Sequence, residues 1–136
     1  MDREALSAFL AEAFPQVGAD FRIEEVGPMR AIVRLVVAER HLRPGGTVSG
    51  PSIFALADVA FYLALLAMIG PKALAVTTNC SLDFLRKPAA GVDLLAEARI
   101  LKLGRMLAVG DVYLRSDGRP DVVARAGLTY SIPPER

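Results

Sequence analysis

The sequence predicts an α+β domain: a strongly curved antiparallel sheet around one long apolar helix, with a second helix at the N-terminus. Three observations carry this. The run from Pro51 to Ile69 is apolar nearly all the way round a helix, and between Arg43 and Lys72 the one formal charge is Asp58. The segments before and after it alternate with the period of strands. Glycine and proline pairs separate those segments at hairpin-like distances, which implies antiparallel neighbours.

Pro51 can open the helix because its missing N–H falls in the unpaired first turn and its φ is already helical. Gly50 precedes it as the expected N-cap, and Gly70-Pro71 stops it. Such a helix is buried in a protein core or in a membrane. A carboxylate near the centre of a bilayer costs about 2.5–3.5 kcal/mol. The flanks lack a Lys/Arg cluster and an aromatic belt, and a sheet is available to pack on. The core reading is therefore preferred.

Residues 2–14 read as an amphipathic helix with Leu6, Phe9, Leu10, Ala13 and Phe14 on one stripe, ended by Pro15. Strands are expected over Phe21–Val26 and Ala31–Ala38 around Gly27-Pro28, the second mostly buried with Arg34 as its exception. Glu39–Val48 reads as loop. After the helix, Leu74–Phe84 places Leu74, Val76, Cys80, Leu82 and Phe84 on one face. Thr77, Asn79, Ser81 and Asp83 take the other. Strands Leu94–Leu103, Met106–Arg115 and Val122–Ile132 follow, separated by Gly104-Arg105 and Ser116-Asp117-Gly118. In the last, Ala124, Ala126, Leu128 and Tyr130 share the apolar face.

The chain has 136 residues, enough for a single domain over 1–136, and a net charge of +1. No basic field exists to hold nucleic acid or an anionic membrane. The 53% hydrophobic fraction is high for a small domain and suggests burial against a second copy. The N-terminus lacks the basic start of a secretory signal, and one cysteine forms no internal disulfide. A cytoplasmic protein is expected.

Cys80 on an apolar strand face reads as a small hydrophobe rather than a nucleophile. One histidine and one cysteine offer no usual zinc set. Asp58 is different, because a carboxyl group in an apolar helix must be hydrogen-bonded, paired or functional. The N-terminus at Gly50 is the second candidate. Its free N–H groups and the positive end of the helix dipole suit a carbonyl oxygen that becomes negative.

His41, Gly46, Val48, Gly50 and Leu56-Ala57-Asp58-x-Ala60 resemble the loop-and-helix signature of the PaaI-type hotdog-fold acyl-CoA thioesterases. Ala75-Val76-Thr77, then Asp83–Pro88 and Leu103-Gly104-Arg105, resemble that family's later landmarks in the same order. The resemblance spans roughly residues 35–133. It implies the hotdog fold, Asp58 as general base or nucleophile, and the Gly50 N–H polarising the thioester carbonyl. It also implies a hydroxyl at Thr77 that helps orient the water. Three positions depart from the pattern: Arg43 stands where the family has Asn, Ser49 where it has His, and Pro51 where it has the second Gly. Ser49 could serve as a small hydrogen-bonding group in the site or as a capping serine. Arg43 and His41 are candidates for substrate binding.

The expected activity is hydrolysis of a hydrophobic or aromatic acyl-CoA, with no metal and no cofactor beyond the coenzyme A of the substrate. Arg86, Lys87, Lys102 and Arg105 are cations available for its phosphates. A non-catalytic acyl-CoA or fatty-acyl binder and an acyl-thioester dehydratase are the alternatives. A homodimer is expected, paired into a tetramer as the resemblance implies. Gly50 and Asp58 lie eight positions apart on one helix, or roughly 12 Å along its axis. One straight helix cannot bring both to one carbonyl, so the expected site is shared between protomers.

Overall fold

The apolar run forms helix α2, Gly50–Ile69, and the other elements are laid over it. The computed structural model describes residues 1–134. Glu135 and Arg136, the last residues of the expected domain, lie outside the described residues. Helix α1, Arg3–Ala13, starts at Asp2, whose carboxylate accepts the Ala5 N–H at 2.8 Å. The strands are β1 (Phe21–Gly27), β2 (Arg30–Leu35), β3 (Val76–Phe84), β4 (Leu94–Leu103), β5 (Leu107–Ser116) and β6 (Val122–Ser131). They form one antiparallel sheet in the order β1-β2-β4-β5-β6-β3. This is the expected curved sheet around a central helix.

Alternation explains the core. Ala96, Ala98 and Ile100 of β4, Ala108, Val112 and Leu114 of β5, and Ala124, Ala126, Leu128 and Tyr130 of β6 point inward and are buried. They enclose Leu56, Ala57, Ala60, Phe61, Leu63, Ala64 and Leu65 of α2. By length and composition α2 could cross a membrane, but here it is the core helix. The burial is not complete all the way round. Pro51, Phe54 and Ala55 are exposed and Asp58 is half-buried. Their spacing puts them on one stripe that the sheet leaves open.

Several boundaries differ from expectation. The N-cap of α2 is Ser49, and Gly50 is the first helical residue. Strand β2 stops at Leu35, because the Val36 N–H turns to Asp20 O and the Val37 N–H to the Asp93 carboxylate. Residues Glu39–His41 form a 3₁₀ turn inside the expected loop. Arg34 is half-buried and paired with Glu24, Asp93 and Asp117. These partners hold its guanidinium above the ordinary arginine range, Asp117 contributing most. Strands β3 and β4, consecutive in the chain, are not neighbours. The link through Lys87-Pro88 carries the chain across the domain, and β3 pairs with β6 at the sheet edge.

Gly110 sits where β4 is bulged between Ile100 and Lys102. A Cβ there would stand 2.1 Å from Arg99 O and 2.6 Å from the Phe61 ring. A Cβ at Gly127 would meet only open space. Gly110→Ala is therefore expected to destabilise the fold by about 3 kcal/mol, the upper end for overpacking, because a backbone oxygen cannot move aside. Gly127→Ala should leave the urea midpoint almost unchanged. Equal midpoints for the two variants would contradict the close packing at Gly110.

Candidate active site

Asp58 lies in the third turn of α2, on the stripe the sheet leaves open. Two hydroxyls reach it from the sheet. Thr77 Oγ1 and the Tyr130 hydroxyl each donate to Asp58 Oδ1 at 2.6 Å. The Tyr130 hydroxyl also lies 3.2 Å from the Asp58 carbonyl oxygen. No hydrogen bond to Oδ2 is made among the described residues. These two donors offset the cost of setting a carboxyl group in an apolar helix.

The local sequence explains how Thr77 gets there. Unbroken alternation from Cys80 would turn it outward with Asn79 and Ser81. Strand β3 instead carries a bulge between Thr77 and Asn79, so Thr77 pairs with Tyr130 while Asn79 pairs with Thr129. The extra residue, Thr78, shifts the phase by one. Thr77 thereby joins the inward side with Cys80 and Leu82.

Tyr130 is a site residue that the sequence reasoning misses, although it places the residue on the inward face. The signal is present: a buried tyrosine sets its hydroxyl against a partner, and Asp58 is the acid of the facing helix. The Tyr130 ring packs on Phe61 and Tyr62, with centroids 5.3 and 6.1 Å away. Burial, and then the Asp58 carboxylate, push its phenol well above the ordinary value, so the hydroxyl stays protonated and donates. Burial, and then the same carboxylate, also raise the Cys80 thiol. That keeps it protonated and fits a packing role.

The other half of the expected constellation lies at the start of α2. The Ser49 hydroxyl accepts the Ser52 N–H at 3.4 Å and lies 3.1 Å from Ser52 Oγ. It therefore caps the helix. Pro51 has no N–H, and the first helical bond runs from Ile53 N–H to Ser49 O. Gly50 keeps an N–H that no earlier carbonyl can take. It opens onto a cavity of about 420 Å³ that Arg43, Arg86 and Lys87 also line. Gly45 and Gly46, at φ +104° and +84°, make the turn that folds Leu42 back onto Val48 and sets this wall.

His41 is buried. Its Nδ1 accepts the Ala38 N–H at 2.9 Å, so its proton is on Nε2, which faces Asp20 Oδ2 at 3.2 Å. Its carbonyl accepts the Ser49 N–H at 2.8 Å. His41 thus braces the loop that presents Gly50, and its ring lines a cavity with Asp20, Ser52 and Asp58. Arg40 pairs with Asp20 and, as the largest cause, holds that carboxyl below its ordinary range. Asp58 lines this cavity and a second one with Thr77 and Tyr130. Gly50 lines a different cavity. Thr77 and Asp58 are thus brought together, as are Arg43 and Gly50, but the two pairs stay apart within the chain. Among the described residues no cluster of His, Cys, Asp and Glu could hold a metal ion.

Residues 45–123 match the thioesterase superfamily. The chain belongs to that superfamily. The thioesterase is 29% identical to the acyl-coenzyme A thioesterase PaaI of Escherichia coli, over 75% of this chain and 71% of that protein. A crystal structure from Silicibacter sp. TM1040, provisionally classed as a thioesterase, is 60% identical. It superimposes with a TM-score of 0.92 over 98% of this chain and 93% of that one. A point variant of the phenylacetic acid degradation protein PaaI from Thermus thermophilus is 32% identical. Its TM-score is 0.75 over 88% of this chain and 99% of that one. The thioesterase is a PaaI-type hotdog enzyme, a thioester hydrolase, as its loop-and-helix signature implied.

Tyr130→Phe keeps the ring and removes one donor from Asp58. A loss of about 1.5–3 kcal/mol in urea unfolding is expected, the range for a hydrogen bond to a charged group. An unchanged midpoint would mean that the bond is not made in solution.

Proposed function

We propose that the thioesterase hydrolyses hydrophobic or aromatic acyl-CoA at a site shared by two protomers, with Asp58 of one facing Gly50 of the other. The observation that carries this is the state of Asp58: Oδ1 is held by two hydroxyls, and Oδ2 is left without a partner among the described residues. Asp58 Oδ2 takes a proton from water as the water oxygen attacks the thioester carbonyl carbon. The carbonyl electron pair moves onto oxygen, where the Gly50 N–H stabilises it. The tetrahedral species collapses, the C–S bond breaks, and coenzyme A leaves as thiolate, which takes up the proton held on Asp58 Oδ2 and restores the carboxylate. The product is the free acid.

The division between protomers is supported by distance. Gly50 and Asp58 are on one continuous helix, about 12 Å apart along its axis. Reacting groups must meet within about 3–3.5 Å. The face between them suits a second copy. It combines the open stripe of α2, with Phe54 39% exposed, and edge strand β3, with Val76 and Phe84 56% and 58% exposed. An unpaired apolar strand edge is a liability unless another chain covers it. Pairing again into a tetramer is the second step of the same proposal. Arg43, Arg86 and Lys87 suit the phosphates of the coenzyme A carrier. The single thiol fits a cytoplasmic enzyme.

A panel of acyl-CoA thioesters with free-thiol detection tests the activity. Asp58→Asn retains an oxygen that can accept from Thr77 and Tyr130 but cannot accept the water's proton. Its kcat should fall by roughly 10²–10⁴, the span of general-base contributions, with little change in thermal stability. Wild-type kcat in that variant would remove Asp58 from the chemistry.

A further inference from the structure

We infer that the cavity between α1 and Asp58 receives the acyl group, and that Phe14 limits its length. The enzyme then prefers compact acyl groups, an aryl ring or a short chain, over long fatty chains. This rests on the thioesterase reading and narrows its substrate.

The cavity measures about 210 Å³. Asp58, Thr77 and Tyr130 form its polar end, and Leu10, Phe14 and Val17 wall it from the α1 side. Tyr62 adds its ring, because its hydroxyl is spent on Ala73 O at 3.1 Å. A thioester with its carbonyl beside Asp58 would direct its acyl tail towards α1, where every lining side chain is apolar. Phe14 stands edge-on to Tyr62, with centroids 5.7 Å apart and planes at 85°. Its backbone is fixed as the cap of α1, whose Leu6 and Leu10 are buried. Phe14 and Val17 are nonetheless 37% and 44% exposed, so the wall they make is an apolar rim that a ligand can cover.

Size decides the class. An apolar cavity of about 150 Å³ accepts benzene, and a water molecule, close in size to one chain carbon, takes about 30 Å³ of liquid volume. On that scale 210 Å³ holds a ring with roughly two further atoms, or a chain of roughly seven. A sixteen-carbon chain needs roughly double the room. Dislodging Phe14 would open the far end towards solvent.

The test separates binding from turnover. S-benzyl, S-hexyl and S-dodecyl coenzyme A are thioethers that cannot be hydrolysed, and calorimetry gives their Kd below the micelle concentration. Wild type should bind the benzyl and hexyl compounds about tenfold or more tighter than the dodecyl compound, a discrimination typical of apolar pockets. Phe14→Ala should narrow the gap to about threefold by tightening dodecyl binding. Phe14→Trp should act oppositely and weaken hexyl binding. Thiol release from the matching acyl-CoA thioesters is measured alongside. Equal dodecyl and benzyl affinity in wild type, or a preference that neither Phe14 variant moves, would overturn the assignment. Size-selective binding without thiol release would uphold the pocket and remove the hydrolase reading. Thiol release with no size preference would do the reverse.

Discussion

A carboxylate carried halfway along an apolar helix has to be met by donors, and β3 and β6 meet it here. Thr77 and Tyr130 pair with each other across the sheet and both donate to Asp58 Oδ1. Much of the surrounding structure serves that contact. The bulge after Thr77 turns its hydroxyl inward. Phe61 and Tyr62 hold the Tyr130 ring, and burial keeps the phenol protonated. The edge position of β3 leaves Asp58 half-buried rather than sealed, so it can be both supported and reached.

In the proposed site, the second half comes from the N-terminal end of α2 in the partner copy. Ser49 caps the helix, Pro51 contributes no N–H, and Gly50 is left with the donor. His41 braces the approach, and Gly45-Gly46 fold the wall back. Helix rise fixes the two halves at a distance neither side chain can close. In the proposed shared site, a rigid helix makes the lone protomer insufficient, and a partner would complete it at the exposed stripe from Pro51 to Asp58.

Much of this is legible in the sequence, for reasons tied to particular residues. The uninterrupted apolar run from Pro51 to Ile69 demands enclosure, and alternation in the strands supplies it. Asp58 stands out because its cost in that run needs a cause. Gly50 stands out because it meets Pro51 at the helix start. What stays hidden comes from tertiary structure. The phase of β3 changes at a bulge with no local marker beyond Thr77-Thr78, so alternation alone places Thr77 on the wrong side. The crossing between β3 and β4 has the length of a turn. Arg34 reads as an exception to a buried strand because its partners Glu24, Asp93 and Asp117 come from distant segments. The hydroxyl of Tyr130 escapes notice because the pattern of its strand marks that face only as apolar.

The shared site is tested most directly by complementation. Asp58→Asn removes the base and Gly50→Pro removes the donor N–H. The extended Ser49, at φ −73° and ψ 156°, already has the backbone that a following proline requires. Each variant alone should be nearly inactive. Co-expressed, they should form about half mixed dimers, each with one intact and one doubly damaged site. Activity should then return to roughly one quarter of wild type when association is random. Mixed dimers verified by mass spectrometry and still inactive would contradict the shared site.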